Sequence, residues 1–214
     1  MLNEKEIKTV FMRFAKANPA PRCELDFPNP YAFLVAIILS AQSTDKGVNK
    51  ATPALFKVAD TPQKMLKLGE DGLKKYISSI GLYNNKAKSI MAMSKMLIDD
   101  YKGEVPMDRD ELIKLPGVGR KSANVFLNEL LDLPYFAVDT HVFRVSHRLG
   151  LSKGKDPLAV EKDLDAKVMD PYRTRAHRWL VLHGRYTCLA KKPKCEECFL
   201  SDLCPYLKEL PKNK

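Results

Sequence analysis

The sequence predicts an all-α fold, and three of its features support that prediction. Apolar residues recur three and four positions apart in almost every periodic segment, as on one face of a helix. No segment shows the alternation of apolar and polar residues that is typical of a half-buried strand. Prolines and short polar residues stand where helices are expected to begin. We therefore expect helices joined by connectors along the chain.

Capping residues place the first helices. Asn3 and Glu6 form a capping-box pattern ahead of the first apolar series. A proline-rich connector follows, and a strongly apolar helix begins near Tyr31. A helix near 45–58 contains Pro53, which should kink the helix or mark its restart because proline removes a backbone donor.

Turn residues delimit the later helices. Thr61 and Pro62 open one helix as its N-cap and first residue. Gly81 is expected to end a helix at about 70–80, after which Leu82 packs back against it as a hydrophobic cap contact. Further helices are predicted at about 85–101, 120–131, 140–149, 157–169 and 174–186.

The stretch Leu-Pro-Gly-Val-Gly-Arg-Lys-Ser, at 115–122, is the most informative motif. Asp108 and Glu111 form a capping box that opens the helix leading to it. Gly117 and Gly119 then permit a tight turn into a second helix. Backbone N–H groups at the start of that second helix, together with the helix dipole, favour an anion such as a phosphate.

Two ionisable residues accompany this anion site. Lys121 lies two positions beyond the second glycine, and Asp139 follows 18 positions later in Val-Asp-Thr-His. The lysine is either a nucleophile or an ordinary residue of a first helical turn, where the dipole disfavours a cation. The carboxylate serves in catalysis, as a helix N-cap, or as both. The pair suggests chemistry beside a nucleic-acid backbone.

The charge balance favours a polyanionic partner. The formal net charge is +10, and the segment from Arg173 to Lys214 contributes +6 of it, with ten Lys and Arg against four Asp and Glu. Such a basic region fits DNA, RNA or an anionic membrane surface. The sequence shows no amphipathic anchor that would favour the membrane.

We expect a soluble, cytoplasmic protein. The N-terminus, Met-Leu-Asn-Glu-Lys-Glu, does not resemble a signal or transit peptide. The longest apolar run, from Tyr31 to Leu39, has nine residues, whereas a membrane span needs roughly 18. Cysteines stay reduced in this compartment, and a bacterial source would associate the protein with the nucleoid.

Four cysteines near the C-terminus predict a metal centre. Their spacing is Cys188-x6-Cys195-x2-Cys198-x5-Cys204, within 17 residues. Zinc, an iron–sulfur cluster and disulfides are the alternatives for such a group. A zinc ribbon has two separated Cys-x2-Cys pairs, and only one such pair occurs here. The compact spacing therefore favours a [4Fe–4S] cluster that acts as a structural support.

The interval between the first two of these cysteines is basic, because it contains Lys191, Lys192 and Lys194. These lysines form either a solvated turn or a surface for phosphate groups. We favour the second interpretation, because a metal-fixed loop presents its charges rigidly and phosphate contacts dominate the affinity for nucleic acid.

These motifs together resemble the endonuclease III family, which belongs to the helix–hairpin–helix superfamily of DNA base-excision glycosylases. The resemblance rests on the glycine turn, the cysteine spacing, Val-Asp-Thr-His-Val-Phe-Arg at 138–144 and His-Gly-Arg-Tyr-Thr-Cys at 183–188. It includes Leu-Ser-Ala-Gln-Ser-Thr-Asp at 39–45 and Gly-Leu-Tyr-Asn at 81–84. It therefore extends over essentially the whole chain.

The resemblance implies two helical lobes with a DNA-binding cleft between them. One domain would span 22–132 and end in the helix–hairpin–helix motif, and the other would combine 1–21 with 133–214 and carry the iron–sulfur loop. The implied enzyme is a monomeric, bifunctional DNA glycosylase and AP lyase. It removes oxidised pyrimidines from damaged double-stranded DNA through a lysine Schiff base and cleaves the strand by β-elimination.

The resemblance also assigns roles to individual residues. Lys121 would be the nucleophile, Asp139 its partner carboxylate, and the four cysteines the cluster ligands. The residues expected to contact DNA are Gln42, Leu82, Gly117, Gly119, Arg120, His141, Lys191, Lys192 and Lys194. Gln42 and Leu82 would fill the gap left by the flipped base, and hairpin carbonyls would hold a monovalent cation. Burial or the adjacent Arg120 would favour the neutral amine of Lys121.

Other interpretations remain open at this point. Adenine-specific and mismatch-specific thymine glycosylases of the same superfamily usually lack the lysine, and a non-catalytic DNA-binding module or a redox sensor would not need the pair Lys121 and Asp139. The chain departs from the family pattern at His147, where Asn is usual, and at Pro53. We expect both departures to affect only local packing.

Overall fold

The structure is a computed structural model that describes residues 1–209, and over that range it is all-helical. The predicted fold class is therefore confirmed. The helices are α1 (Glu4–Ala17), α2 (Pro30–Ser40), α3 (Asp45–Val58), α4 (Pro62–Ile77), α5 (Tyr83–Tyr101), α6 (Arg109–Lys114), α7 (Arg120–Leu131), α8 (Thr140–Arg148), α9 (Pro157–Lys167), α10 (Arg173–Tyr186) and α11 (Pro205–Glu209). The predicted caps Asn3 and Thr61 both accept backbone hydrogen bonds.

The chain divides into two compact units. The discontinuous unit comprises Met1–Cys23 and the chain from Leu131 onward, and the middle unit comprises Glu24–Leu130. The glycine turn and Lys121 belong to the middle unit. Asp139 and the four clustered cysteines belong to the discontinuous unit.

Helix α2 forms the centre of the middle unit. Every side chain from Tyr31 to Leu39 is buried, because the helix is apolar on all its faces. The Phe33 ring lies against Phe27 and Phe126, with ring-centroid distances of 4.0 and 5.7 Å. None of the helices in residues 1–209 has the length and apolar character needed to cross a membrane.

The discontinuous unit is built around Trp179 of α10. The Trp179 ring lies 6.2 Å from the Phe14 ring and 6.5 Å from the Phe11 ring, both on α1. Its Nε1–H donates to the Asn18 carbonyl oxygen at 2.7 Å, so the polar atom of this buried ring is satisfied. These contacts attach the N-terminal helix to the C-terminal helices of the unit.

Helix α3 runs through Pro53 as one helix, so the helix does not restart there. Proline removes one backbone hydrogen bond. The neighbouring side chains Thr52, Leu55 and Phe56 are buried and anchor the helix around this position. Packing therefore outweighs the loss of a single backbone donor.

The end of α4 corrects two predictions. The helix ends at Ile77 and is interrupted at Gly69, whose φ is +76°, so Gly81 does not cap it. Leu82 does not pack back against α4. Its side chain is 56% exposed and its φ is +58°, because α5 begins at the next residue and the turn directs Leu82 to solvent.

His147 joins α8 to the loop that precedes α9. Its Nδ1 lies 2.8 Å from the Phe143 carbonyl oxygen, and its Nε2 lies 2.9 Å from the Gly154 carbonyl oxygen. The ring also stacks on the Phe143 ring, with a centroid distance of 4.3 Å. His147 therefore takes part in the local packing between α8 and this loop.

Candidate functional site

The glycine turn joins α6 to α7, as the sequence predicts. Asp108 Oδ1 caps α6 by accepting from the N–H groups of Asp110 and Glu111 at 2.8 and 3.0 Å. The expected return bond from Glu111 to the cap is not formed. The Glu111 carboxylate instead accepts from the Tyr101 hydroxyl at 2.8 Å and the Lys114 ammonium at 2.7 Å. The capping-box prediction is therefore wrong in its second half, because two side-chain donors occupy the carboxylate.

The two glycines of the turn have different functions. Gly117 has a φ of +83°, and a Cβ there would lie 2.8 Å from Ser89 Cβ and 3.5 Å from Ile38 Cδ1. The turn is therefore packed tightly against α5 and α2 at Gly117, and only glycine fits. A Cβ at Gly119 would have no heavy atom of the described residues within 4 Å, apart from its own chain neighbours. Gly119 therefore leaves the backbone at the start of α7 open to a ligand.

The first turn of α7 presents unpaired donors. The N–H groups of Gly119, Lys121 and Ser122 have no acceptor within residues 1–209, and the first helical bond runs from Ala123 to the Gly119 carbonyl. The Lys121 side chain is exposed, and its ammonium makes no hydrogen bond or ion pair in the described chain. The burial that the sequence analysis considered for this amine is therefore absent in the described structure. An anion at this turn would meet free N–H groups, the helix dipole and an ammonium.

Asp139 caps α8 with one carboxylate oxygen. Its Oδ1 accepts from the N–H groups of His141 and Val142 at 2.9 and 2.8 Å. The side chain is half-buried, and no group of residues 1–209 donates to Oδ2. The N-cap interpretation is therefore confirmed. It is compatible with a catalytic function, because the cap orients the carboxylate while the second oxygen stays available.

His141 lies in the first turn of α8. Its Nδ1 is 3.3 Å from a terminal nitrogen of Arg144, and a guanidinium can only donate, so Nδ1 is the acceptor. The neutral ring then carries its proton on Nε2. The same residue packs against Gly184 of α10, where a Cβ would lie 2.8 Å from His141 Cβ. His141 is therefore fixed by packing and has an N–H group to offer.

Gln42 and Leu82 are exposed residues with left-handed backbone, at φ of +54° and +58°. Residues other than glycine rarely adopt this conformation, which costs about 1–3 kcal/mol. Their loops are neighbours, since a Cβ at Gly81 would lie 3.9 Å from both the Gln42 carbonyl oxygen and Ser43 Oγ. One amide and one large apolar side chain therefore belong to neighbouring loops and are both exposed.

Four cysteine thiols, those of Cys188, Cys195, Cys198 and Cys204, line one cavity in the discontinuous unit. None of the cysteines in residues 1–209 forms a disulfide, and no three His, Cys, Asp or Glu side chains there converge on a point for one metal ion. Burial raises the pKa of the Cys198 and Cys204 thiols. Four soft donors around a shared cavity fit a cluster of several iron ions, which displaces the thiol protons.

Two arginines of α8, for which the sequence motifs predicted no function, hold the cysteine loop. Arg144 Nε donates to the Cys188 carbonyl oxygen at 3.0 Å, and Arg148 donates to the Leu189 carbonyl oxygen at 2.6 Å. The loop backbone is therefore anchored to the helix that Asp139 caps. The sequence signal that could have identified Arg144 and Arg148 is their spacing of four residues, which places both guanidinium groups on one face of the helix.

The three loop lysines are exposed, and within residues 1–209 none of their ammonium groups has a bonded partner. The loop backbone itself is fixed, because the Lys194 N–H donates to the Thr187 carbonyl oxygen at 2.9 Å. Lys192 adopts a left-handed φ of +50°. The loop thus presents three unpaired cations from an ordered backbone.

Comparisons with known proteins give matches over nearly the whole chain. Residues 35–169 match the family described as HhH-GPD superfamily base excision DNA repair protein, and residues 188–204 match the iron-sulfur binding domain of endonuclease III. Endonuclease III of Rickettsia felis is 54% identical over 200 residues, which are 94% of each chain. Endonuclease III of Escherichia coli K12 is 48% identical over 205 residues, covering 96% of this chain and 97% of the relative.

Solved structures give a similar result. The structure of a trapped endonuclease III–DNA covalent intermediate in an estranged-adenine complex matches with a TM-score of 0.91 and 45% identity, covering 97% of this chain and 98% of that chain. A non-covalent endonuclease III–DNA complex gives the same values. A thermostable thymine-DNA glycosylase, at 24% identity and a TM-score of 0.83, shares the fold.

The two glycines of the turn form a matched pair for mutation. Gly117→Ala should lower the free energy of unfolding by about 1–3 kcal/mol, because alanine is strained at positive φ and its Cβ meets Ser89. Gly119→Ala should leave stability nearly unchanged, because its Cβ would lie within 4 Å of no residue in 1–209 other than its chain neighbours. Urea unfolding of both variants measures the difference, and equal destabilisation would contradict the packing described for Gly117.

Proposed function

Because the chain belongs to the endonuclease III family of base excision DNA repair proteins, we propose that it is a bifunctional DNA glycosylase and AP lyase with Lys121 as its nucleophile. The observation that carries the proposal is the exposed, unpaired Lys121 beside free N–H groups at the start of α7. The likeness to a trapped covalent endonuclease III–DNA intermediate supports it, since covalent capture requires a protein nucleophile.

The proposed chemistry begins with a nucleotide flipped out of the duplex, because the sugar carbon is inaccessible inside it. The neutral Lys121 amine attacks C1′, and the bond from C1′ to the base breaks as the base leaves with its electron pair and takes up a proton. The sugar ring then opens as the C1′–O4′ bond breaks and O4′ takes up a proton, which leaves an iminium between Nζ and C1′. Removal of a C2′ proton then expels the 3′ phosphate, which cleaves the strand by β-elimination.

Asp139 is proposed as the carboxylate that assists these proton transfers. Its free Oδ2 can accept a proton from the attacking amine and can stabilise positive charge on the opening sugar. Its Oδ1 is held by the N–H groups of His141 and Val142. The carboxylate is thereby oriented before the substrate arrives.

The DNA contacts are proposed separately for each unit. In the middle unit, Gly117, Gly119 and Arg120 bind a phosphate at the turn, and Gln42 and Leu82 occupy the space of the flipped nucleotide. In the discontinuous unit, His141 donates Nε2–H to a phosphate, and the loop lysines Lys191, Lys192 and Lys194 bind the backbone electrostatically. We also propose a monovalent cation at the hairpin carbonyls, beside the bound phosphate.

The chain carries an iron–sulfur cluster, and we propose that it is a [4Fe–4S] cluster on Cys188, Cys195, Cys198 and Cys204. The cluster supplies structural support for the basic loop, and the proposed reaction needs no electron transfer. The preferred substrate is proposed to be an oxidised pyrimidine, such as thymine glycol, in duplex DNA. We further propose that the protein acts as a monomer in the cytoplasm, and at the nucleoid in a bacterial cell.

Borohydride trapping tests the nucleophile. With duplex DNA containing thymine glycol, the wild-type protein should form a covalent adduct, because borohydride reduces the iminium to a stable amine. Lys121→Ala should form none, whereas Lys88→Ala, which removes another exposed lysine, should trap normally. No adduct with the wild type, or an undiminished adduct with Lys121→Ala, would refute the assignment.

The two functions of Asp139 can be separated by Asp139→Asn. Asparagine caps helices about as well as aspartate, so the thermal midpoint should stay close to that of the wild type. Loss of the carboxylate should lower the single-turnover rate of base release by about 10²- to 10⁴-fold. Asp156→Asn, which alters the N-cap of α9, is the control and should change neither quantity. A nearly normal rate for Asp139→Asn would leave the residue with its capping function alone.

The loop lysines should act through salt-dependent binding. Replacing Lys191, Lys192 and Lys194 together with Gln should weaken duplex binding and reduce the slope of log K against log salt by about 0.9 for each phosphate that is no longer neutralised. A control with the same charge change replaces the exposed α1 lysines, which are Lys5, Lys8 and Lys16. Equal effects of the two triple variants on the slope would show that only net charge matters.

A further inference from the structure

Lys86, in the first turn of α5, is a lysine buried without a carboxylate partner. Its side chain is only 6% exposed, and in residues 1–209 no acidic group contacts it. Its Nζ donates to the Leu39 carbonyl oxygen at 2.8 Å and to Ser43 Oγ at 2.9 Å. Burial lowers the pKa of this lysine, since desolvation disfavours the ammonium. Because desolvation of an ammonium is unfavourable, we expect the buried position of Lys86 to serve a specific function.

The first acceptor lies at the C-terminal end of α2. The last four carbonyl groups of a helix cannot be reached by its own N–H groups. Three of these groups are satisfied locally, by Ser40 Oγ to the Ile37 oxygen, the Ala41 N–H to the Ile38 oxygen and the Ser43 N–H to the Ser40 oxygen. The Leu39 carbonyl is completed by Lys86 from another helix. The cation also complements the negative end of the helix dipole.

The two acceptors of the Lys86 ammonium, Leu39 and Ser43, lie on either side of Gln42 in the sequence. Lys86 itself lies one helical turn after Leu82. The Lys86 N–H donates to the Leu82 carbonyl oxygen at 3.1 Å. One residue therefore ties the loop that carries Gln42 to the turn that carries Leu82, through both its backbone and its side chain. Since both of these residues have strained left-handed backbone, they need such support to persist.

We propose that Lys86 is a positioning residue for base extrusion, which fixes Gln42 and Leu82 relative to each other without contacting the DNA. The inference rests on the proposed function of these two residues as the groups that enter the base stack. Extruding an intact nucleotide requires unstacking a base, whereas a preformed abasic site has none to unstack. Lys86 should therefore matter more for base release than for strand cleavage at an abasic site.

The test compares Lys86→Met with Lys88→Met. Methionine keeps most of the side-chain length and removes the donor, while Lys88 is exposed on the same helix and its replacement makes the same charge change. The measurements are single-turnover base release from a thymine glycol duplex and strand cleavage of the same duplex with an abasic site. Lys86→Met should slow base release by about 10- to 100-fold and cleavage by less than about twofold, whereas Lys88→Met should slow neither.

Two further readouts separate positioning from general stability. The fluorescence of 2-aminopurine placed opposite the lesion should rise on binding of the wild type, as the base becomes unstacked, and should rise less with Lys86→Met. The double variant Leu82→Ala with Lys86→Met should release base only slightly more slowly than the single Leu82→Ala variant. The losses should not add, because Lys86 acts by positioning the Leu82 side chain that the other substitution removes. Additive losses would overturn the inference.

The remaining outcomes are also decisive. Equal losses in base release and abasic-site cleavage, or a Lys86→Met variant that behaves like Lys88→Met, would overturn the inference and leave the proposed function intact. If Lys86→Met does not fold, Ser43→Ala removes one acceptor and should give a smaller loss confined to base release; an unchanged ratio of the two rates overturns the inference. A wild type that releases no base overturns the proposed function and the inference with it.

Discussion

Nine consecutive buried side chains make α2 the fixed element around which the middle unit is arranged. Its Phe33 packs against Phe126 of α7, the Tyr31 hydroxyl lies 2.6 Å from Ser94 Oγ of α5, and Ile38 lies against the turn at Gly117. Because these contacts reach three separate elements, a shift of α2 would displace all of them. The groups proposed to contact DNA in this unit therefore depend on the burial of one apolar helix.

The proposed DNA-contacting loops of this unit contain conformations that are unfavourable in the free protein. Gln42 and Leu82 adopt left-handed backbone, and the exposed Leu82 side chain gains nothing from burial. Strained backbone conformations persist only where the surrounding structure fixes them. Here the hydrogen bonds of Lys86 fix the loops that contain them. Burial of the Leu82 side chain by a ligand would contribute hydrophobic free energy that offsets the cost of the strained backbone, and order established before binding reduces the entropy that binding must overcome.

The fold class and most helix starts could be predicted because they depend on local patterns. Asn3 caps its helix through a neighbour three residues away, and the periodicity of apolar residues needs no knowledge of the partner helix. Contacts distant in sequence were not predictable in this way. Lys86 bonds a carbonyl 47 positions away, and Arg148 bonds one 41 positions away. The exposure of Leu82 depends on which residue of a short turn takes the left-handed conformation, and propensity alone favours the adjacent glycine.

The hydrogen bonds of the basic residues divide them into two groups with different physical effects. Lys86, Arg144 and Arg148 donate to backbone carbonyl oxygens, and these bonds join separate segments of one unit. The ammonium groups of Lys121 and of the cysteine loop have no such partner in the described chain. Cations of the first group stabilise the fold, because their removal would leave backbone carbonyl oxygens without a hydrogen-bond donor. Cations of the second group have no counter-charge bonded to them in the described chain, so a polyanion that supplied one would gain binding free energy.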